Sequence, residues 1–205
     1  MKCLLAAAIA VSAMAMGNAL AVWDQQVDTR YVIYSNRYDA AAGQWGAAAQ
    51  PLEAVPGSSQ YSFCQIAIDA AGNALVVWAH YDVGDKNQAI YARRFDAGTG
   101  TWGEDAQLID SGTGFASAPQ VVITDASGNA LAVWDQQENL EPDSHIYSNR
   151  YDAATGRWGD EARPIEIGAA SAYQPQLAVD SGGDVIAVWE FFGEPTTSIR
   201  AARFE

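Results

Sequence analysis

Basic side chains are scarce in this sequence: 11 Lys plus Arg stand against 25 Asp plus Glu in 205 residues, a formal net charge of -14. A chain of that sign repels polyphosphate, whose binding depends on cationic side chains, so nucleic acid is a poor candidate partner. Cysteine is nearly absent, with only Cys3 and Cys64, and a disulfide framework is not part of the design. The two histidines, His80 and His145, stand far apart with no Ser or Cys motif that a base would activate, and no glycine-rich phosphate loop appears. A run long enough to span a membrane is also missing. The opening segment MKCLLAAAIAVSAMA is too short for that.

That segment has one Lys, an apolar stretch and the small-residue pattern Ala13-Met14-Ala15, which reads as a signal over residues 1–15 and a secreted or periplasmic protein. The competing reading makes it the first strand of a first repeat, because it runs directly into Gly17-Asn18. Met14 stands where the later copies have Asp69, Asp125 and Asp180, which weighs against the strand.

What the chain does contain is apolar material, 49% of its residues, enough to build one large domain. It also contains a repeat. Gly-Asn-Ala-Leu-Ala-Val-Trp at 17–23 returns unchanged at 128–134, as Gly-Asn-Ala-Leu-Val-Val-Trp at 72–78 and as Gly-Asp-Val-Ile-Ala-Val-Trp at 183–189, with tryptophans 55, 56 and 55 residues apart. Tyr-Asp-Ala-Ala-Ala-Gly-Gln-Trp at 38–45 returns as Phe-Asp-Ala-Gly-Thr-Gly-Thr-Trp at 95–102 and Tyr-Asp-Ala-Ala-Thr-Gly-Arg-Trp at 151–158. The repeats run over 16–58 (strands B to D), 59–113, 114–169 and 170–205 (strands A to C).

In the third copy, strand A is expected at Gln120 to Thr124, opened by Pro119, B at Ala130 to Asp135, C at Ile146 to Asp152 and D at Arg157 to about Ile165. Asp125-Ala-Ser-Gly-Asn129 and Ala153-Ala-Thr-Gly156 are tight turns, with Gly supplying positive φ. Short turns leave no room for helical crossovers. The expected fold is therefore all-β, a β-propeller of four-stranded antiparallel blades, about four in number and incomplete or open.

Tyr-Asp-x-x-Thr-Gly-x-Trp resembles the end of a kelch repeat, and Pro-Gln-x-Ala-x-Asp-x-x-Gly-Asn resembles the first hairpin of bacterial extracellular propeller repeats with lectin-like blades. The resemblance covers residues 17 to 205 and implies a blade, not a chemistry. The paired glycines of kelch strands are missing. The Asp box of sialidases has its Asp five residues before Trp, whereas Asp39, Asp96 and Asp152 lie six before.

The A to B and C to D turns fall on one edge of each blade and are nearly constant between copies. The other edge varies, and its B to C loops are expected at Gln25 to Tyr31, Ala79 to Ala89, Gln136 to His145 and Glu190 to Ser198. Candidate ligand-binding residues there are Trp23, Asp24, Gln25 and Gln26 in the first copy, and His80, Tyr81 and Asp82 in the second. Trp134, Asp135, Gln136 and Gln137 follow in the third, with Glu190 and Phe191 in the fourth. The recurring tryptophans fit packing between blades, and Arg37, Arg94, Arg150 and Arg203 fit stacking on them. Clustered carboxylates are calcium-binding in chemistry, but their spacing matches no compact calcium loop, so no cofactor is expected.

The first functional expectation is a secreted, non-enzymatic module that binds carbohydrate or an extracellular protein in grooves between blades. The alternative is a glycoside hydrolase or lyase on the same scaffold, with carboxylates such as Asp82, Asp85 or Glu190; it requires one asymmetric pocket near the axis and one carboxylate of raised pKa. A third reading is a structural fragment of a longer repeat protein. A homodimer could complete the ring if one chain cannot.

Overall fold

The structure, a computed structural model, describes residues 9–13, 17–28, 30–52, 63–82, 87–111, 113–138, 141–166, 170–193 and 195–205. Residues 1–8 and 14–15 of the expected signal, with Met16, Asp85 and Glu194, lie outside them. The fold is all-β and its sheets are antiparallel apart from one bridge. Among the described residues no helix is long and apolar enough to cross a membrane.

Four units follow one another. The first holds β1 (Ile9–Ala13), β2 (Ala19–Val27), β3 (Arg30–Asp39), β4 (Gln44–Trp45) and β5 (Gln50–Pro51). The second holds β6 (Cys64–Ile68), β7 (Ala74–Asp82), β8 (Asn87–Asp96), β9 (Thr101–Trp102) and β10 (Gln107–Leu108). The third holds β11 (Phe115–Ile123), β12 (Ala130–Gln137), β13 (His145–Asp152), β14 (Arg157–Trp158) and β15 (Arg163–Pro164). The fourth holds β16 (Ala172–Val179), β17 (Val185–Gly193) and β18 (Thr196–Phe204).

Each unit is a meander in which neighbours in sequence pair antiparallel, and each is one propeller blade. Ile9–Ala13 lie in β1, paired with β2 from Ile9 opposite Trp23 to Ala13 opposite Ala19, the arrangement that the strand reading of this segment anticipates. The first strands β1, β6, β11 and β16 approach one another in order, which puts them at the centre of the array. A parallel bridge of Phe115 with Gln88 links the second and third blades. No pairing returns from the fourth blade to the first among the described strands, so the array stays open.

Three expectations need correction. The fourth strand is not continuous: in the third blade Tyr151 faces Trp158 and Tyr147 faces Pro164, two extra residues on the outer side. Asn149 Nδ2 donates to the Gly159 carbonyl (3.0 Å) and the Gly159 N–H to Arg150 (2.9 Å), so a bulge replaces ladder bonds there. Strand A does not begin at Pro119. It begins at Phe115 and passes the imide, which has no N–H to give, in a bulge between Ser117 and Gln120 with Ala118 at φ 49°. The expected B to C loops are mostly strand: Gln25, Gln26, His80, Tyr81, Glu190 and Phe191 lie on β2, β7 or β17, because hairpin pairing runs on to Val27 with Arg30, Asp82 with Asn87 and Gly193 with Thr196.

Packing explains the tryptophans. Within a strand side chains alternate between faces. Trp78 packs with Val22, Ile33 and Leu52 of the preceding blade. Trp134 packs with Leu75, Val77 and Ile90, and Trp189 with Leu131, Val133 and Ile146. A blade thus buries its Leu-x-Val side under the Trp side of the next. The turns are tied by one repeated bond: Asn18, Asn73 and Asn129 accept from the N–H of Ala40, Ala97 and Ala153 at 2.9, 3.0 and 2.9 Å, linking the two turns of a blade.

Three of the four recurring arginines have partners other than tryptophan. Arg94 pairs with Asp96 (3.3 Å), Arg203 with Asp184 (2.6 Å), and Arg150 lies over Phe204 (5.8 Å).

Candidate functional site

The WDQQ sequence, which occurs twice, makes a local bond. Trp134 Nε1 donates to Gln136 Oε1 at 2.8 Å, and Trp23 Nε1 to Gln25 Oε1 at 3.3 Å, since residues two apart share a strand face. Gln136 is fully buried and its amide reaches Ser111 Oγ (2.5 Å) and Glu138 Oε1 (2.8 Å), clamping the incoming connection onto β12. Trp134, Gln136 and Phe191 are therefore buried between blades, the last under the Arg200 guanidinium 3.2 Å from its ring centre. His80 is buried against Tyr91 at 5.8 Å, Asp24 is buried, and Trp23 stacks on Tyr34 at 6.2 Å. Gln26 donates to the Asp28 carbonyl. Asp82 pairs through its backbone with Asn87.

Two of the expected residues meet in a cleft. Asp135 and Gln137 line a space of about 500 Å³ together with Phe63, Gln65, Phe115, Ser117, Gln120, Ser144, Tyr173, Gln174 and Gln176. Gln65, Gln120 and Gln176 come from β6, β11 and β16 at one register position, opposite Val77, Val133 and Val188. The cleft thus sits at the centre of the array, on the edge that varies between copies. Phe63, Phe115 and Tyr173 are exposed along it, and Tyr81 packs on Phe115 at 5.9 Å. Glu190 lies directly opposite Tyr173 on β17.

Asp135 is the one carboxylate in this lining. It is 5% exposed; Ser117 Oγ donates to Oδ2 at 2.6 Å and the Gln174 N–H to Oδ1 at 3.1 Å. Burial pushes its pKa above the usual 3.8, and these two bonds, which favour the ionised form, offset only part of that. Both donors come from bulged first strands. Gln174, like Ala118, has positive φ (53° and 49°), backbone held off its comfortable range where the cleft is built.

A wider space of about 920 Å³ lies on the opposite edge, between the turns of the third and fourth blades. Its carboxylates serve the turns. Asp125 accepts from Asn129 Nδ2 (2.7 Å) and Ser127 N–H (2.8 Å), and the Asn129 bond first of all holds its pKa below the usual value. Asp152 accepts from Ala154 N–H (2.8 Å). Asp125 is thus biased away from holding a proton. No group of three or more His, Cys, Asp or Glu is placed to hold a metal among the described residues.

Sequence reasoning missed the glutamines and the aromatic rim. The Gln after Pro119 and Pro175 was visible as a repeat, but only the convergence of three first strands makes it a lining.

No family model and no curated protein matches the sequence. Solved structures do match in fold. The GH93 α-L-arabinofuranosidase of Fusarium graminearum in complex with arabinobiose superposes with a TM-score of 0.63 at 12% identity, over 95% of this chain and 61% of that one. The α-L-arabinanase of Penicillium chrysogenum complexed with arabinobiose gives 0.64 at 13%, over 95% and 61%. A thermostable family-43 glycoside hydrolase gives 0.58 at 14%, over 97% and 72%. The chain thus spans about six-tenths of the length of the first two. These are β-propeller glycoside hydrolases and not kelch-type repeat proteins, and they replace the kelch likeness as the structural reference. They also overturn the expectation of a non-enzymatic binding module. The physical reason is on the axis: where that expectation required equivalent shallow grooves, the chain has an asymmetric central cleft with one buried carboxylate of raised pKa.

Proposed function

We propose that this chain is a glycoside hydrolase on a propeller scaffold, with Asp135 as the general acid. The observation that carries the reading is the protonation bias of Asp135 inside the central cleft. A carboxyl group whose protonated form is favoured by burial is suited to hand its proton to a glycosidic oxygen as the bond to the anomeric carbon breaks. Hydrolysis also needs a second carboxylate that stays ionised, to activate water or to attack the anomeric carbon itself. Among the described residues no second carboxylate lines the cleft, and Glu190, paired across the ladder with Tyr173, is the candidate for that role in this reading.

The rim supplies the grip. Phe115 and Tyr173 offer apolar faces to sugar rings, and the amides of Gln65, Gln120 and Gln176 suit hydroxyl groups as donors and acceptors. Arabinan and arabinobiose are the first substrates to test, since two of the structural neighbours are named for arabinose-releasing activities. A secreted or periplasmic location, expected from the opening segment, would place the chain where such polymers are met.

The test is release of reducing sugar from arabinan, arabinobiose and a panel of chromogenic glycosides. Asp135→Asn should lower the rate about 100-fold or more, the contribution of a positioned acid, with Tm retained. A folded wild-type chain that cleaves none of them, or an Asp135→Asn variant of full activity, refutes the reading.

A further inference from the structure

Resting on the hydrolase reading, in which Asp135 is the source of the proton, we propose that Ser117 is a second catalytic residue: its hydroxyl group carries that proton from the buried carboxyl group to the glycosidic oxygen. Asp135 is only 5% exposed, and both of its oxygens are engaged by the wall, Oδ1 by the Gln174 N–H at 3.1 Å and Oδ2 by Ser117 Oγ at 2.6 Å. Ser117 lies directly opposite Asp135 on β11, just before the bulge at Ala118, and is the less buried of the two. It lines the same cleft. At this register the fourth blade pairs Glu190 with Tyr173, and the second has Ala79 in place of the acid, so neither repeats the pair.

The two carboxyl oxygens differ as carriers of a proton. A backbone N–H only donates, so a proton on Oδ1 would face another proton. A hydroxyl group both donates and accepts, so a proton on Oδ2 is accommodated once Ser117 turns its own hydrogen away. The acid form of Asp135 therefore donates from Oδ2 to Ser117 Oγ, and the Ser117 hydrogen is left to point into the cleft. In the transfer the Oδ2–H bond breaks and a new Oγ–H bond forms, while the original Oγ hydrogen passes to the glycosidic oxygen and the bond from that oxygen to the anomeric carbon breaks. The leaving sugar departs as an alcohol, Ser117 keeps one hydrogen, and Asp135 is left as a carboxylate accepting from Ser117 Oγ, the arrangement in the structure. The attacking water gives its hydroxyl group to the anomeric carbon, and the proton it loses balances the one that Asp135 gave. A separation of 2.6 Å suits the step, being that of a hydroxyl group bound to a carboxylate.

Two probes separate the relay from a structural role: a natural glycan that the wild-type chain cleaves, arabinobiose first, whose leaving group must be protonated, and the dinitrophenyl glycoside of the same sugar, whose leaving group departs as a stable anion. Ser117→Ala should lower kcat on the glycan about 100-fold, the scale of a lost acid, with KM little changed, and should leave the aryl glycoside within a few-fold of wild type. Carbon NMR of Asp135 adds a readout apart from turnover, since loss of a donor to the ionised oxygen should raise the titration midpoint of its carboxyl group. A wild-type rate for Ser117→Ala on the glycan, beside a slowed Asp135→Asn, overturns the relay and leaves the acid standing. Equal losses on both probes, or an unmoved midpoint, also overturn it. A wild-type chain inert to every glycoside offered removes the hydrolase reading and the relay with it.

Discussion

Asp135 holds two opposed influences at one carboxyl group: burial favours the proton, while Ser117 and Gln174 donate to the ionised oxygens. Because burial prevails, the folded chain binds that proton more tightly than the unfolded chain does. Its contribution to stability is complete below the ordinary value of 3.8 and is lost as pH rises through the raised folded value. Asp135→Asn removes that component, so the urea midpoint of the variant should fall less than the wild type's over the same interval. Parallel pH profiles for the two chains would refute the shift. The sequence made Asp135 visible as an acid beside a repeated tryptophan, on a par with Asp24 and Glu190. It could not separate them, because the difference comes from Gln174, 39 residues away, and from the neighbouring blade that buries it.

At the scale of strands and turns, the repeat located most elements, since Gly-Asn and Thr-Gly pairs punctuate them and the turn glycines do take positive φ: 89° at Gly128 and 69° at Gly156. What periodicity could not show is where pairing departs from regularity. The bulges at Ala118 and in the fourth strand, and the extension of β17 and β18 past Phe192, depend on cross-strand partners that no single segment contains. Gly183 gives a sharp test of the turn geometry. It sits at φ 94°, and a Cβ there would run into the Thr124 carbonyl of the preceding blade. Gly183→Ala should cost at least about 1–2 kcal/mol from the backbone conformation alone, read as a lowered urea midpoint with unchanged slope.

At the scale of the molecule, no apolar cluster among the described residues joins all four blades. Each principal apolar cluster straddles two adjacent blades: Val22 with Trp78, Val77 with Trp134, and Val133 with Trp189. Among the described residues the second and third blades are covered on both faces, the first and fourth on one. Coupling is therefore between nearest neighbours only, as in a row of coins held by contact with the next. Amide exchange should record that as a gradient along the row. Protons in the ladders of β7, β8, β12 and β13 should exchange slowest, those of β2, β17 and β18 faster, and the order should flatten in any assembly that covers the end blades. Uniform protection across all four blades in the monomeric chain would contradict this. On the same logic the ends act as sacrificial units: a lesion in the fourth blade can melt locally while the second and third hold their shape, so the chain's tolerance of damage is itself distributed by position.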